Sequence, residues 1–269
     1  MVDIDQLTDE EFEKLPLVVE GESKIVRDAG SGACVIRFKP TIYSFTANRA
    51  GVVPGSDVLR LRASRIFCEV LRAAGIPHAY RAVNDRFVLA DLIPSPPPIE
   101  VVIKAFHSGT SKHRYTGMAG TRLRASHPFY AGKTFEPDGA YPAPFVRFDW
   151  RNPLHDPRTG KTLADEVLGD AQADWFIDTA KARLTALRVY RALSGFLADR
   201  DVVLYDLCLF VSEDGEKVFG EISQDCGRFR HFDLGSLDKD EWRAGGSSEH
   251  VLNKWQLLLD LIEKPRELI

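Results

Sequence analysis

Several stretches of this chain carry side chains suited to phosphate or carboxylate oxygens. Lys24 stands beside the flexible turn at Gly21, where an ammonium can reach the oxygens of a polyphosphate. Gly109 and Thr110 offer backbone N–H groups and a hydroxyl to an anion, with Lys104 upstream and Lys112, His113 and Arg114 directly after. Ser223, Asp225 and Arg228 sit close together, and the planar fork of an arginine grips two oxygens of a phosphate at once. Asp206 and Glu221 flank a hairpin signal, so their carboxylates can meet across it and, with substrate phosphates, share a magnesium ion. The plainer alternatives for these groups are solvated strand lysines and surface ion pairs. Cys208 and Cys226 invite a nucleophile, but neither has a general base in its sequence context, and buried packing thiols are the simpler reading.

These residues need a scaffold, and its elements are legible. Leu17 to Arg27 reads as two short strands around a glycine, followed by a Gly-Ser-Gly turn at 30–32 and a strand from Cys34 to Phe38. Val58, Leu61, Ile66, Val70 and Leu71 follow helical spacing, with Asp57 as N-cap and Gly75 as C-cap. Phe87 to Ile93 and Ile99 to Lys104 are strand candidates, separated by a proline-rich hinge at Pro94, Pro96, Pro97 and Pro98. Residues 116–160 show no sustained period and read as long ordered loops. A helix is expected from Asp174 to Asp199, then a hairpin from Val202 to Ile222, then a closing helix from Ser248 to about Ile262.

A chain of 269 residues, 44% hydrophobic and 28% charged, can bury a substantial core in one large domain or two small lobes. Its formal charge of -4 argues against a nucleic-acid polymer as partner, because such binders carry a basic stripe. No apolar run approaches the roughly 20 residues of a membrane span. The acidic N-terminus does not read as a secretory signal, so the expected location is the cytoplasm. Four cysteines without CxxC spacing make a zinc knuckle or disulfide framework unexpected.

Three segments, in this order, resemble the phosphoribosylaminoimidazole-succinocarboxamide synthase (SAICAR synthetase) family of purine biosynthesis, over nearly the whole chain. Gly21-Glu22-Ser23-Lys24 is similar to the family's Gly-Lys-x-Lys loop. Pro98 to Thr110 is close to its Pro-x-Glu-x-Val-x-Arg-x-x-x-x-Gly-Ser signature. Glu221 to Arg228 matches its Asp-Glu-x-Ser-Pro-Asp-x-x-Arg, with Leu237-Asp238-Lys239-Asp240 downstream where the family has a similar run.

The resemblance implies a two-lobed α+β fold: a small antiparallel β-rich lobe, residues 1–95, and a larger α/β lobe, residues 96–269, with a nucleotide cleft between them. It also implies a reaction in which ATP converts a nucleotide carboxylate to an acyl phosphate that an amine such as aspartate then attacks. By this transfer Lys24 meets the ATP. Lys104, Ser108, Gly109, Thr110, Arg114, Ser223, Asp225 and Arg228 hold the phosphoribosyl substrate, and Asp206 and Glu221 are the catalytic, magnesium-binding pair.

Departures gather at the ATP end. Glu22 stands at the first lysine of the opening loop, Cys208 and Phe210 at the lysine and glutamate of Asp-x-Lys-x-Glu, and Gly220 at an aspartate. A basic residue expected upstream of His155-Asp156 is replaced around Trp150-Arg151. Both ATP and Mg2+ are thereby put in question. Two readings follow: a divergent ligase of specialised nucleotide or nucleoside metabolism, or a former ligase that binds a phosphoribosyl compound without ATP chemistry or catalyses an ATP-independent step. A homo-oligomer built on the C-terminal helix is compatible with either.

Overall fold

The computed structural model describes residues 2–44, 49–108, 116–136, 139–160 and 163–264. Two antiparallel sheets dominate, which makes the fold α+β. The first has strand order β1-β2-β3-β7-β6, built from β1 (Leu17–Glu20), β2 (Lys24–Gly30), β3 (Ala33–Phe38), β6 (Tyr80–Val83) and β7 (Val88–Asp91). Gly30 pairs with Ala33, so Ser31 and Gly32 form a two-residue hairpin loop. Both take positive φ, 53° and 71°, the backbone twist that tight hairpins favour. A separate ribbon pairs β4 (Thr41–Ser44) with β5 (Arg49–Val52).

The second sheet runs β10-β9-β8-β11-β13-β14, with β12 (Val218–Phe219) paired to β11. Its members are β8 (Ile99–Phe106), β9 (Ala140–Trp150), β10 (Glu166–Leu168), β11 (Val202–Val211), β13 (Gly227–His231) and β14 (Gly235–Ser236). Side chains alternate across a strand, so each face has its own composition. Ile99, Val101 and Ile103 of β8, Val146 and Phe148 of β9, and Leu207 and Leu209 of β11 are all buried in one core. The opposite face carries Glu100, Lys104, Asp206, Cys208, Phe210 and Arg228, and the site is built on it.

Helix α2 (Ser56–Ala73) packs on β3 and β6 and also on helices α4 (Thr179–Ala198) and α5 (Ser248–Ile262) of the second sheet. Phe67 of α2 stacks on Phe229 of β13 at 6.0 Å, so one apolar core runs through both sheets. Each such fully buried aromatic or aliphatic side chain contributes roughly 1.5–3 kcal/mol. A smaller cluster on the far side of the first sheet joins Phe12 of α1 (Asp9–Lys14) to Val35 and Phe87.

Three expectations are corrected. The N-cap of α2 is Gly55, in the left-handed region, and Asp57 lies in the first turn, where it complements the helix dipole; the C-cap is Ala74, with Gly75 just beyond. The buried face of α2 runs through Arg60, Ser64, Phe67 and Leu71, whereas Val58 is 40% exposed. Small and polar residues buried there carry no apolar signal. Residues 140–150 form the strand β9, not loop. Pro142 and Pro144 disguise it, and they are tolerated because β10 pairs only with 148–150, leaving the proline-bearing half on an edge. The helix expected from Asp174 begins at Thr179, capped by Asp178, after the short α3 (Asp170–Ala173).

Candidate functional site

A cleft of about 400 Å³ opens between the Gly21–Lys24 turn, the polar face of the second sheet and the segment from Glu221 to Arg228. Register makes its floor. Asp206 of β11 lies opposite Lys104 of β8 on one side and Arg228 of β13 on the other, so three charged side chains meet across three adjacent strands. Lys104 Nζ and Arg228 Nη1 each donate to Asp206 Oδ2 at 2.6 Å. Lys104 Nζ also donates to the carbonyl of Ser108. Burial raises the pKa of Asp206, but Arg228 and Lys104 outweigh it and hold the carboxyl below its ordinary range. Arg228 Nε also lies 3.4 Å from Asp240 Oδ1, an ion pair without a hydrogen bond.

Glu221 has a second, separate set of partners. Arg60, fully buried in α2, grips it through both oxygens, Nε to Oε1 and Nη2 to Oε2, each at 2.8 Å. The other donors of Arg60 reach the carbonyls of Ser23, Lys39 and Thr41, so all five N–H groups are satisfied. Ser223 Oγ donates to Glu221 Oε1 at 2.5 Å, and Lys24 Nζ stands 3.6 Å from Oε2. Against the cost of burial, Arg60 drives the Glu221 carboxyl far below its ordinary range.

These arrangements bring together Lys24, Asp206, Glu221, Asp225 and Arg228, all lining the cleft. Lys104, expected at the substrate, is 3% exposed and lies beneath the floor, because its ammonium is taken by Asp206 and Ser108. Ser223 is likewise fully buried; its hydroxyl accepts from the Asp225 N–H and caps a short turn instead of facing the cleft. Ser108 is nearly buried and contributes its carbonyl. Gly109, Thr110 and Arg114 lie outside the described residues, as do Lys112 and His113. Asp225 is ion-paired with Lys239, Oδ1 to Nζ at 2.9 Å. The thiols of Cys208 and Cys226 line the cleft but stay protonated: burial pushes Cys226 up to about 12 and Cys208 well above its usual value, so neither offers a thiolate.

Sequence reasoning missed Arg60 and Arg243. A signal for Arg60 exists, since it repeats with Ser64, Phe67 and Leu71 at helical spacing. Glu100 and Arg151 stood in the sequence without a role, and both line the cleft.

The donor set does not fit magnesium. Both oxygens of Glu221 are held by a guanidinium, Asp206 is neutralised by two cations, and Phe210 offers no oxygen. Gly220 cannot simply regain an acid: its φ is +76°, and a Cβ there would stand 2.9 Å from Phe210 Cδ2. Among the described residues, no three His, Cys, Asp or Glu side chains converge as a metal site. Nor is any described helix long and apolar enough to cross a membrane.

Comparison with known proteins gives concordant matches. The family description "SAICAR synthetase" matches residues 17–257. A bifunctional cordycepin biosynthesis cluster protein 3 of Cordyceps militaris is 28% identical over 309 residues, covering 93% of this chain; the chain spans 33% of that relative's length. A phosphoribosylaminoimidazole-succinocarboxamide synthase of Methanopyrus kandleri is 30% identical over 246 residues, covering 86% of this chain and 88% of its own length. Among solved structures, a type-2 SAICAR synthetase in complex with ADP superposes with a TM-score of 0.71 at 22% identity, covering 93% of this chain and 99% of that one.

Proposed function

Because this chain belongs to the SAICAR synthetase family, we propose that it is a divergent ATP-dependent carbon–nitrogen ligase. It joins an aspartate-like amine to the carboxylate of a phosphoribosyl heterocycle, in the cytoplasm, as a step of specialised nucleotide or nucleoside metabolism. In such a reaction a carboxylate oxygen attacks the γ-phosphorus and ADP leaves; the amine then displaces phosphate from the acyl phosphate and loses a proton. Lys24 faces the ATP oxygens. Arg228, with Asp225 and Lys239 alongside, holds the phosphoribosyl group, and Asp206 and Lys104 fix the direction in which Arg228 points.

The observation that carries this reading is the convergence of three sequence-distant segments, at Lys24, Asp206 and Glu221–Arg228, on one cleft. The relative from a cordycepin biosynthesis cluster supports a specialised pathway. The test is ADP release from ATP in the presence of a phosphoribosyl aminoimidazole carboxylate and aspartate, then of related carboxylate and amine pairs. ADP formed only when both partners are present supports the ligase. Phe210 and Gly220, standing where acids are expected, favour a second reading: a protein that binds the phosphoribosyl compound without ATP chemistry. Tight binding of such a compound with no ADP from any pair would select it.

A further inference from the structure

Phe210 and Gly220 fill one space. The ring lies against the glycine so closely that a single methyl at 220 would collide with it, and the positive φ keeps the backbone folded beneath the ring. Phe219 completes the surface, 5.7 Å from Phe210 centroid to centroid. On this aromatic wall rests the guanidinium of Arg151, 5.3 Å from the Phe210 centroid.

The cations that line the cleft are not equivalent. Lys24 is paired with Glu221, Arg228 with Asp206, Lys239 with Asp225, and Arg243 with Asp240. Among the described lysines and arginines that line the cleft, Arg151 alone makes no ion pair; its backbone N–H donates to the carbonyl of Pro98 at 2.9 Å. The carboxylates Glu100 and Asp165 also line the cleft, and Arg151 offsets part of the charge of Glu100. A guanidinium held against a ring face, exposed and unpaired, keeps its planar donors for incoming oxygens, and an aromatic rest restricts its motion without neutralising it.

We infer that the cleft binds the phosphate oxygens of its nucleotide without a divalent cation, with Arg151 on the Phe210 ring supplying the charge that a metal would otherwise carry. This rests on the ligase reading, since it places a nucleotide in the cleft. It also accounts for the pairing of Asp206 and Glu221 with internal cations: the two carboxylates are structural, and phosphate neutralisation falls to Arg151.

The test is isothermal titration of ADP and of ATP into the full chain, once in EDTA and once in magnesium. Wild type is expected to bind in EDTA within about 2-fold of its affinity in magnesium. Arg151→Ala is expected to weaken binding in EDTA by about 10-fold or more, with Arg151→Lys intermediate because it keeps the charge and loses the fork. Phe210→Glu combined with Gly220→Asp should introduce a magnesium dependence absent from wild type. Circular dichroism shows whether each variant is folded. Wild-type binding that appears only with magnesium overturns the inference and leaves the ligase reading standing. Folded Arg151→Ala binding as tightly as wild type in EDTA also overturns it. Folded wild type that binds neither nucleotide in either buffer overturns the inference and the ligase reading together.

Discussion

Asp206 and Phe210 lie on the same face of β11, four residues apart, yet they inhabit opposite kinds of site. Around Asp206, and around Glu221 nearby, every charge is matched by a buried partner, and register or helix packing dictates the match. Around Phe210 the wall is aromatic, and the ionisable groups beside it, Arg151 and Glu100, make no ion pair. The difference separates structural charge from available charge. Buried, paired charges hold the floor in place, and a group left unpaired at the cleft surface can meet a ligand without first breaking an ion pair.

The contrast can be broken most severely at Arg60. Arg60→Ala leaves the Glu221 carboxylate buried without its guanidinium and should cost about 4 kcal/mol in urea unfolding, a loss that Glu221→Ala in the same chain partly restores. Asp206→Asn, which strands Lys104 and Arg228, should cost about 3 kcal/mol, whereas Phe210→Leu should cost only about 1 kcal/mol in the same assay.

The two ends should also answer pH in opposite senses. Asp206 and Glu221 have folded pKa values below their ordinary 3.8 and 4.5, so the stability they contribute is present above those values and is lost as pH falls through the folded ones. Glu100 goes the other way: burial, only partly offset by Arg151, raises it from 4.5 to about 7. Its native state therefore binds more protons than the unfolded chain, and stability falls as pH rises from 4.5 through 7. Glu100→Gln should remove that decline and raise stability at pH 8 by about 2 kcal/mol, read from denaturation at several pH values. The smallest effect separates ring contact from backbone strain at the aromatic end. Gly220→Ala should cost about 2 kcal/mol beside Phe210 but only about 1 kcal/mol in a Phe210→Ala background, where only the positive φ remains unfavourable.

Much of the scaffold could be read from the chain. β-branched runs marked β8 and β11, the Gly-Ser-Gly turn marked the first hairpin, and the closing helix lies where its periodicity put it. The cleft was legible as a set of segments but not as a set of partners. Lys104, Asp206 and Arg228 are each conspicuous in sequence, but that all three share one carboxylate oxygen follows from strand register, a tertiary property. Arg60 was hidden because a charged residue amid a helix reads as solvated, and its burial depends on a glutamate 161 residues away. The strand β9 was hidden by prolines that only an edge position permits.

Arg60 also bears on how the cleft exchanges its contents with solvent. One guanidinium ties the glycine turn at Ser23, the crossover at Lys39 and Thr41, and Glu221 of the other sheet to a single point on α2. The turn is therefore not an independent flap: Arg60 and the Lys39 N–H both donate to the Ser23 carbonyl and Thr41 Oγ1 donates to that of Glu22, so lifting it would break three hydrogen bonds together. Amide protons from Ser23 to Ile25 should accordingly exchange with deuterium in step with those in the middle of α2, far more slowly than in an ordinary surface turn. Exchange in step with α2 would tie entry to this cleft to the packed layer beneath the turn, not to the turn alone.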